Sequence, residues 1–127
     1  VEYQKELMME RLEKMFRNLD SGLTRAKYFD MQEQLERPPL EEEIPPDWED
    51  FPSVVQDALN TFNILGDRVY PEIGYVGKDY TNLKHFIDIH EVTDLELFLD
   101  IISWLDSRAI KKSSEQLKKD YAKLKRK

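Results

Sequence analysis

TDLELFLDIISWLDSRAI, residues 93–110, is the stretch on which the fold turns. Thr93-Asp94-Leu95-Glu96 matches the S/T-x-x-E capping box, whose side-chain oxygens satisfy the free N–H groups at a helix start. Behind it Leu95, Phe98, Ile101, Ile102, Leu105 and Ala109 recur every three or four residues, which is one face of an α-helix. The sequence then turns basic. Residues 108–127 hold nine Lys or Arg against two acids, Glu115 and Asp120. Ile110, Ser114, Leu117, Tyr121 and Leu124 carry a thin heptad-like seam through this stretch. The pattern predicts a helix that begins in a core and ends as a basic arm.

Upstream lies VYPEIGYVGKDYTNL, residues 69–83, rich in Gly, Tyr and turn formers. Val69, Tyr70, Ile73, Tyr75 and Val76 suit a short hairpin or an ordered loop. Gly74 and Gly77 suggest backbone with positive φ, which glycine adopts without steric cost. A short helix over about 80–89 is expected to bury Leu83, Phe86 and Ile87. Before the turn, Val55, Ala58, Leu59, Phe62 and Leu65 give another apolar helix face, with Pro52 placed as its first residue and Gly66-Asp67 as its end.

Residues 37–52, RPPLEEEIPPDWEDFP, cannot continue a helix, because the two Pro-Pro pairs force extended backbone. Leu40, Ile44, Trp48 and Phe51 still recur every three or four residues, so this linker is expected to lie on something. The N-terminal third reads as helix. Met8, Leu12, Met15, Leu19, Gly22, Ala26 and Phe29 follow an unbroken 4-3-4-3 spacing, a heptad seam. Its weak point is Asp20-Ser21-Gly22, since Gly costs about 1 kcal/mol inside a helix. Either one kinked helix or two, about 3–19 and 22–36, is expected.

The fold class read from these patterns is mainly α. It is a small helical domain with amphipathic N- and C-terminal arms and a Gly/Tyr-rich turn or short hairpin. The expected divisions are an arm at 1–36, a Pro/Glu-rich linker at 37–51, a helical core at 52–110 and a basic helical tail at 111–127.

Composition narrows the function classes. The chain has 127 residues, a net charge of −7 and no cysteine. That excludes disulfides, thiolate zinc sites and cysteine nucleophiles, and it fits a reducing cytosol. No apolar run approaches the roughly 20 residues that span a bilayer. The start is not a signal peptide, lacking a basic and then an apolar region. His85 and His90 are five residues apart and fall on different helix faces, unlike the i,i+3 or i,i+4 of helical zinc pairs. Gly74 to Asp79 fails as a phosphate loop, because Glu72 and Asp79 stand where glycine and a hydroxyl residue are needed. The acids Asp47, Glu49 and Asp50 read as a solvated strip. No catalytic, metal or cofactor site is expected, and the chain is read as non-enzymatic.

Binding residues are expected in three groups. Met8, Leu12, Met15, Leu19, Phe29, Leu117, Tyr121 and Leu124 form the amphipathic helix faces for a protein partner or another copy. Methionine suits an adaptable apolar contact. Gly74, Tyr75, Gly77, Asp79 and Tyr80 form the turn motif. Arg108, Lys111, Lys112, Lys118, Lys119 and Lys123 are candidates for phosphate or acidic-surface contacts.

The order of elements from Trp48 to Ile110 resembles the small phage tail-assembly chaperones. The match is an apolar helix with Phe62, then Ile73-Gly74-Tyr75-Val76-Gly77-Lys78-Asp79-Tyr80, a leucine-bearing short helix, and an acid-capped final helix from Asp94 to Ile110. It covers about half the chain. The resemblance implies a cytoplasmic helical protein (host cytoplasm, if viral) that coats a long tail protein during virion assembly, without enzyme activity. Two other classes stay open. One is a nucleic-acid-associated factor, such as a small DNA-packaging subunit or a transcription accessory factor, using the basic tail. The other is a structural virion or scaffold subunit held by coiled-coil arms.

Overall fold

In the computed structural model the chain is mainly helical, with five α-helices and one two-stranded hairpin among the described residues. The structure describes residues 2–125; Val1, and Arg126 and Lys127 of the expected basic tail, lie outside them. The chain divides into two compact units, with the boundary between Pro52 and Ser53.

The first unit opens with α1 (Glu2–Ser21) and α2 (Arg25–Gln34). They are separate helices, so the seam expected to run from Met8 to Phe29 is interrupted. Gly22 adopts φ +77°, its N–H donates to the Leu19 carbonyl, and the Leu23 N–H reaches the Asn18 carbonyl at 2.8 Å. This is a Schellman stop, in which a left-handed residue lets the last helical carbonyls find partners. Thr24 then caps α2 through its side chain. The new helix has its own phase: Tyr28 and Gln32 face inward, whereas Ala26 and Phe29 are exposed.

The proline-rich segment lies against these helices, as its apolar spacing suggests. The Tyr28 hydroxyl accepts from the Leu40 N–H at 3.1 Å and from the Gln32 amide at 2.9 Å. Lys14 donates to the Glu42 carbonyl at 2.7 Å, and Arg25 donates to the Pro45 carbonyl and to Asp50. Two 3-10 turns, Glu41–Glu43 and Trp48–Asp50, occupy the segment; Asp47 and Asp50 cap the second reciprocally. The Asp47 N–H, with help from Arg25, holds the Asp50 carboxyl below its ordinary pKa against the opposing effect of burial.

The second unit contains α3 (Ser53–Ile64), β1 (Asp67–Tyr70), β2 (Gly74–Lys78), α4 (Leu83–Ile89) and α5 (Leu95–Lys125). Helix α3 begins one residue after the expected Pro52. Val55, Ala58 and Leu59 of α3 are buried, as are Phe98, Ile101, Ile102 and Leu105 of α5. Helices α3 and α5 pack together, and β2 lies on α5. The cap of α5 is Asp94 rather than Thr93: its carboxylate accepts from the Leu97 N–H at 3.2 Å, and its carbonyl starts the helical ladder with Phe98. The apolar face also differs at its edges. Leu95 is exposed and Ala109 half-buried, while the acid Asp106 is buried.

The hairpin pairs Asp67 with Lys78, Arg68 with Gly77, Val69 with Tyr75 and Tyr70 with Gly74, so a bulge falls at Val76. The turn has Pro71 before Glu72 at φ +71°, and the Ile73 N–H returns to the Tyr70 carbonyl. That is type II geometry, with proline favoured first and glycine favoured where Glu72 stands.

Candidate protein-docking site on the last helix

The Gly/Tyr-rich motif converges on one side chain, Asp106 of α5. Tyr75 donates its hydroxyl to Asp106 Oδ1 at 2.5 Å. Tyr80 donates to Oδ2. The Lys78 backbone N–H lies 3.2 Å from both oxygens. Gly77 has φ +126°, and a Cβ there would stand 3.2 Å from Oδ2. A side chain there would press on the carboxylate, and the positive φ independently favours glycine. Lys78 closes the other end. Its ammonium donates to the Leu65 carbonyl at 3.1 Å, pairs with Asp67 at 2.7 Å and sits 4.6 Å above the Phe62 ring. A cation just beyond α3 also suits the negative end of that helix.

This network sets the protonation states. Burial raises the Asp106 pKa, but the hydrogen bonds from Tyr75, Tyr80 and Lys78 outweigh it and hold the carboxyl below its ordinary value. Tyr75 and Tyr80 move the opposite way. Burial raises both, and the bond to the Asp106 carboxylate raises them further. An ionised acid with two neutral phenols is a structural clamp.

Beside the clamp a groove of about 310 Å³ runs along α5, walled by Tyr80 and Leu83 on one side and by Leu99, Ser103, Ser107 and Ile110 of the helix. The seam continues from it. The last buried residue of α5 is Asp106, yet the helix runs on to Lys125. From Ser114 to Lys125 every side chain is exposed except Leu117, which is half-buried. Ile110 is 38% exposed, Tyr121 48% and Leu124 67%. At 100° per residue these residues share one stripe with Leu99 and Ser103. Lys111, Lys118 and Lys125, spaced by sevens, flank that stripe on one side.

No family model matches this chain, and neither the curated proteins nor the solved structures yield a match.

The expected binding residues therefore separate. Leu12 and Met15 are buried and belong to the chain's own packing, which corrects their reading as partner contacts. Met8 is half-buried; Leu19 and Phe29 are exposed. Leu117, Tyr121 and Leu124 lie together on the α5 seam. Of the turn motif, Tyr75, Gly77 and Tyr80 meet at Asp106. Gly74, at φ +86°, approaches Ser113. Asp79 instead holds the next turn through the Thr81 hydroxyl and N–H, which lower its pKa. Lys111, Lys112, Lys118, Lys119 and Lys123 are exposed and Arg108 is half-buried.

Asp106 itself, with Lys78, Leu83, Leu99, Ser103 and Ser107, was missed by pattern reading. One signal existed: an acid interrupting the face of Ile102, Leu105 and Ala109, downstream of two tyrosines. In the first unit a cleft of about 620 Å³ carries Arg11, Lys14 and Arg25. Lys14 and Arg25 are engaged by the Glu42 carbonyl and Asp50, and Glu41 and Glu42 also line it, so its charge is mixed. Among the described residues no group of three or more His, Cys, Asp or Glu could hold a metal, and no helix is long and apolar enough to cross a membrane.

Proposed function

We propose that this protein is a non-enzymatic protein-binding module that works through the seam of α5. The observation that carries this is the helical extension after Asp106, with Ile110, Tyr121 and Leu124 in water. A helix of about twelve residues without packing is marginal in water. The extension gains its stability when the stripe is covered. The groove beside Leu83 and Leu99 supplies a place for a second helix to start, and the serines at 103, 107 and 114 permit close approach. An assembly chaperone, the family that residues 48–110 resemble, is the specific form proposed. Its work would be to cover apolar helices of a larger protein until assembly.

A nucleic-acid reading draws on the lysines instead. Those residues would suffice for phosphates, whereas Leu117 and Leu124 would serve no purpose there. The two are separated by paired variants in the full chain. Leu117→Asp with Leu124→Asp is expected to abolish co-purification of the protein's partner from its native source, with the circular dichroism of the core unchanged. Lys118→Gln with Lys123→Gln is expected to weaken it less. Undiminished association of the leucine variant, or a salt-sensitive duplex-DNA shift lost only in the lysine variant, would contradict the proposal.

A further inference from the structure

We infer that the helix covering the α5 seam is α5 of a second copy, laid antiparallel about a two-fold axis beside Ile110. The inference rests on the proposed reading of the seam as a docking surface and names its occupant in the free protein; a helix of a larger protein would compete with the second copy for the same seam.

Helix α5 is polarised along its length of about 46 Å. Asp94, Glu96 and Asp100 stand at its start, and Lys111, Lys118, Lys119, Lys123 and Lys125 follow. Asp100 and Lys118 are separated by about five whole turns, so they occupy the same angular position on one flank of the seam. Glu96 and Lys125 fall near that flank as well. In a two-fold antiparallel pair, equivalent flanks of the two helices face each other. The acidic start of one copy then lies along the basic end of the other, and the same contact is made twice. A parallel pair would set two basic ends side by side.

The apolar positions agree with the same axis. Leu99 and Tyr121 are equidistant from Ile110 in sequence, and so are Ser103 and Leu117. Tyr121 and Leu117 of the second copy therefore reach the groove walled by Leu83 and Leu99, where Ser103 leaves room for them. Each copy supplies one groove and one tail, so the assembly closes at two and leaves no free end.

The chain has no cysteine, so single introduced thiols report distance without interference. Ile110→Cys, at the axis, should form an intermolecular disulfide under mild oxidation. Leu124→Cys, far from the axis, should not. A mixture of Ser103→Cys and Leu117→Cys should cross-link where neither does alone. Sedimentation equilibrium should give a dimer, with Lys118→Glu plus Lys125→Glu weakening association at least about tenfold. Mixing that variant with Glu96→Lys plus Asp100→Lys should restore a dimer. Circular dichroism checks that each variant is folded.

A wild-type monomer at every concentration up to the high micromolar range would overturn the inference. So would cross-linking of Leu124→Cys as efficient as that of Ile110→Cys. If such a monomer still loses a foreign partner on Leu117→Asp, self-pairing falls and the docking reading stands. If it loses nothing, both fall.

Discussion

Asp106→Asn tests the clamp that fixes the hairpin to α5. The carboxylate accepts from Tyr75, Tyr80 and the Lys78 N–H. Hydrogen bonds to a charged group contribute about 1.5–3 kcal/mol each, and a buried donor left without a partner costs about 1–3 kcal/mol. Asparagine keeps the shape and one acceptor oxygen, so roughly one tyrosine bond and the charge assistance are lost. The expected destabilisation is about 3 kcal/mol. For a unit of this size that is roughly 12–24 °C in Tm. Urea unfolding followed by fluorescence measures it, with Trp48→Phe in both proteins so that Trp104 on α5 reports alone. The pH dependence is a second signature. The folded Asp106 has a lowered pKa, so its stabilisation is complete above the ordinary carboxylate pKa. It disappears as pH falls through the depressed value. The two proteins should therefore converge in acid. A difference below about 1 kcal/mol at neutral pH, or one that persists in acid, would refute the clamp.

Gly77→Val should destabilise the second unit by at least about 2 kcal/mol in thermal melts, because a β-branched residue is strained at φ +126° and its Cβ meets Asp106. Tyr75 and Tyr80 have raised pKa values, so their contribution is complete below about pH 10 and lost as pH rises through the folded values. The part of the tyrosinate absorption that Tyr75→Phe with Tyr80→Phe removes should thus appear together with alkaline unfolding; its appearance well before unfolding would contradict this. Glu72→Gly relieves a left-handed glutamate at the type II position and should stabilise by about 0.5–1 kcal/mol in urea. Leu12→Asp places a charge at a fully buried position and should unfold the first unit, whereas Leu19→Asp, at 58% exposure, should shift stability by no more than about 0.5 kcal/mol.

Local signals were legible where they depend on near neighbours in the chain. The apolar spacings located α3 and α5, and Gly74 with Gly77 marked positive φ. Gly22 ended α1 at the position where glycine was the weak point. What pattern reading misjudged depends on distant contacts or on competition between neighbouring caps. Asp94 outcompeted Thr93 as the cap of α5 by standing one residue closer to the helix. The seam from Met8 to Phe29 looked continuous because spacing alone does not register the new phase that a Schellman turn gives to α2. Leu12 and Leu19 share one seam in sequence, yet one is buried and the other exposed, and only tertiary packing separates them. Asp106 left only a weak signal because its three donors come from β2 and the turn after it, about thirty residues away.

Hydrogen–deuterium exchange of the amides from Ser114 to Leu124, recorded across protein concentration, tests most directly whether the α5 seam is a docking surface occupied by a second copy. The prediction is protection that rises with concentration and is lost in Leu117→Asp, while the amides of Phe98 to Leu105 keep theirs. Exchange of 114–124 at the rate of an unpacked helix end, at every concentration and indifferent to Leu117→Asp, would contradict it.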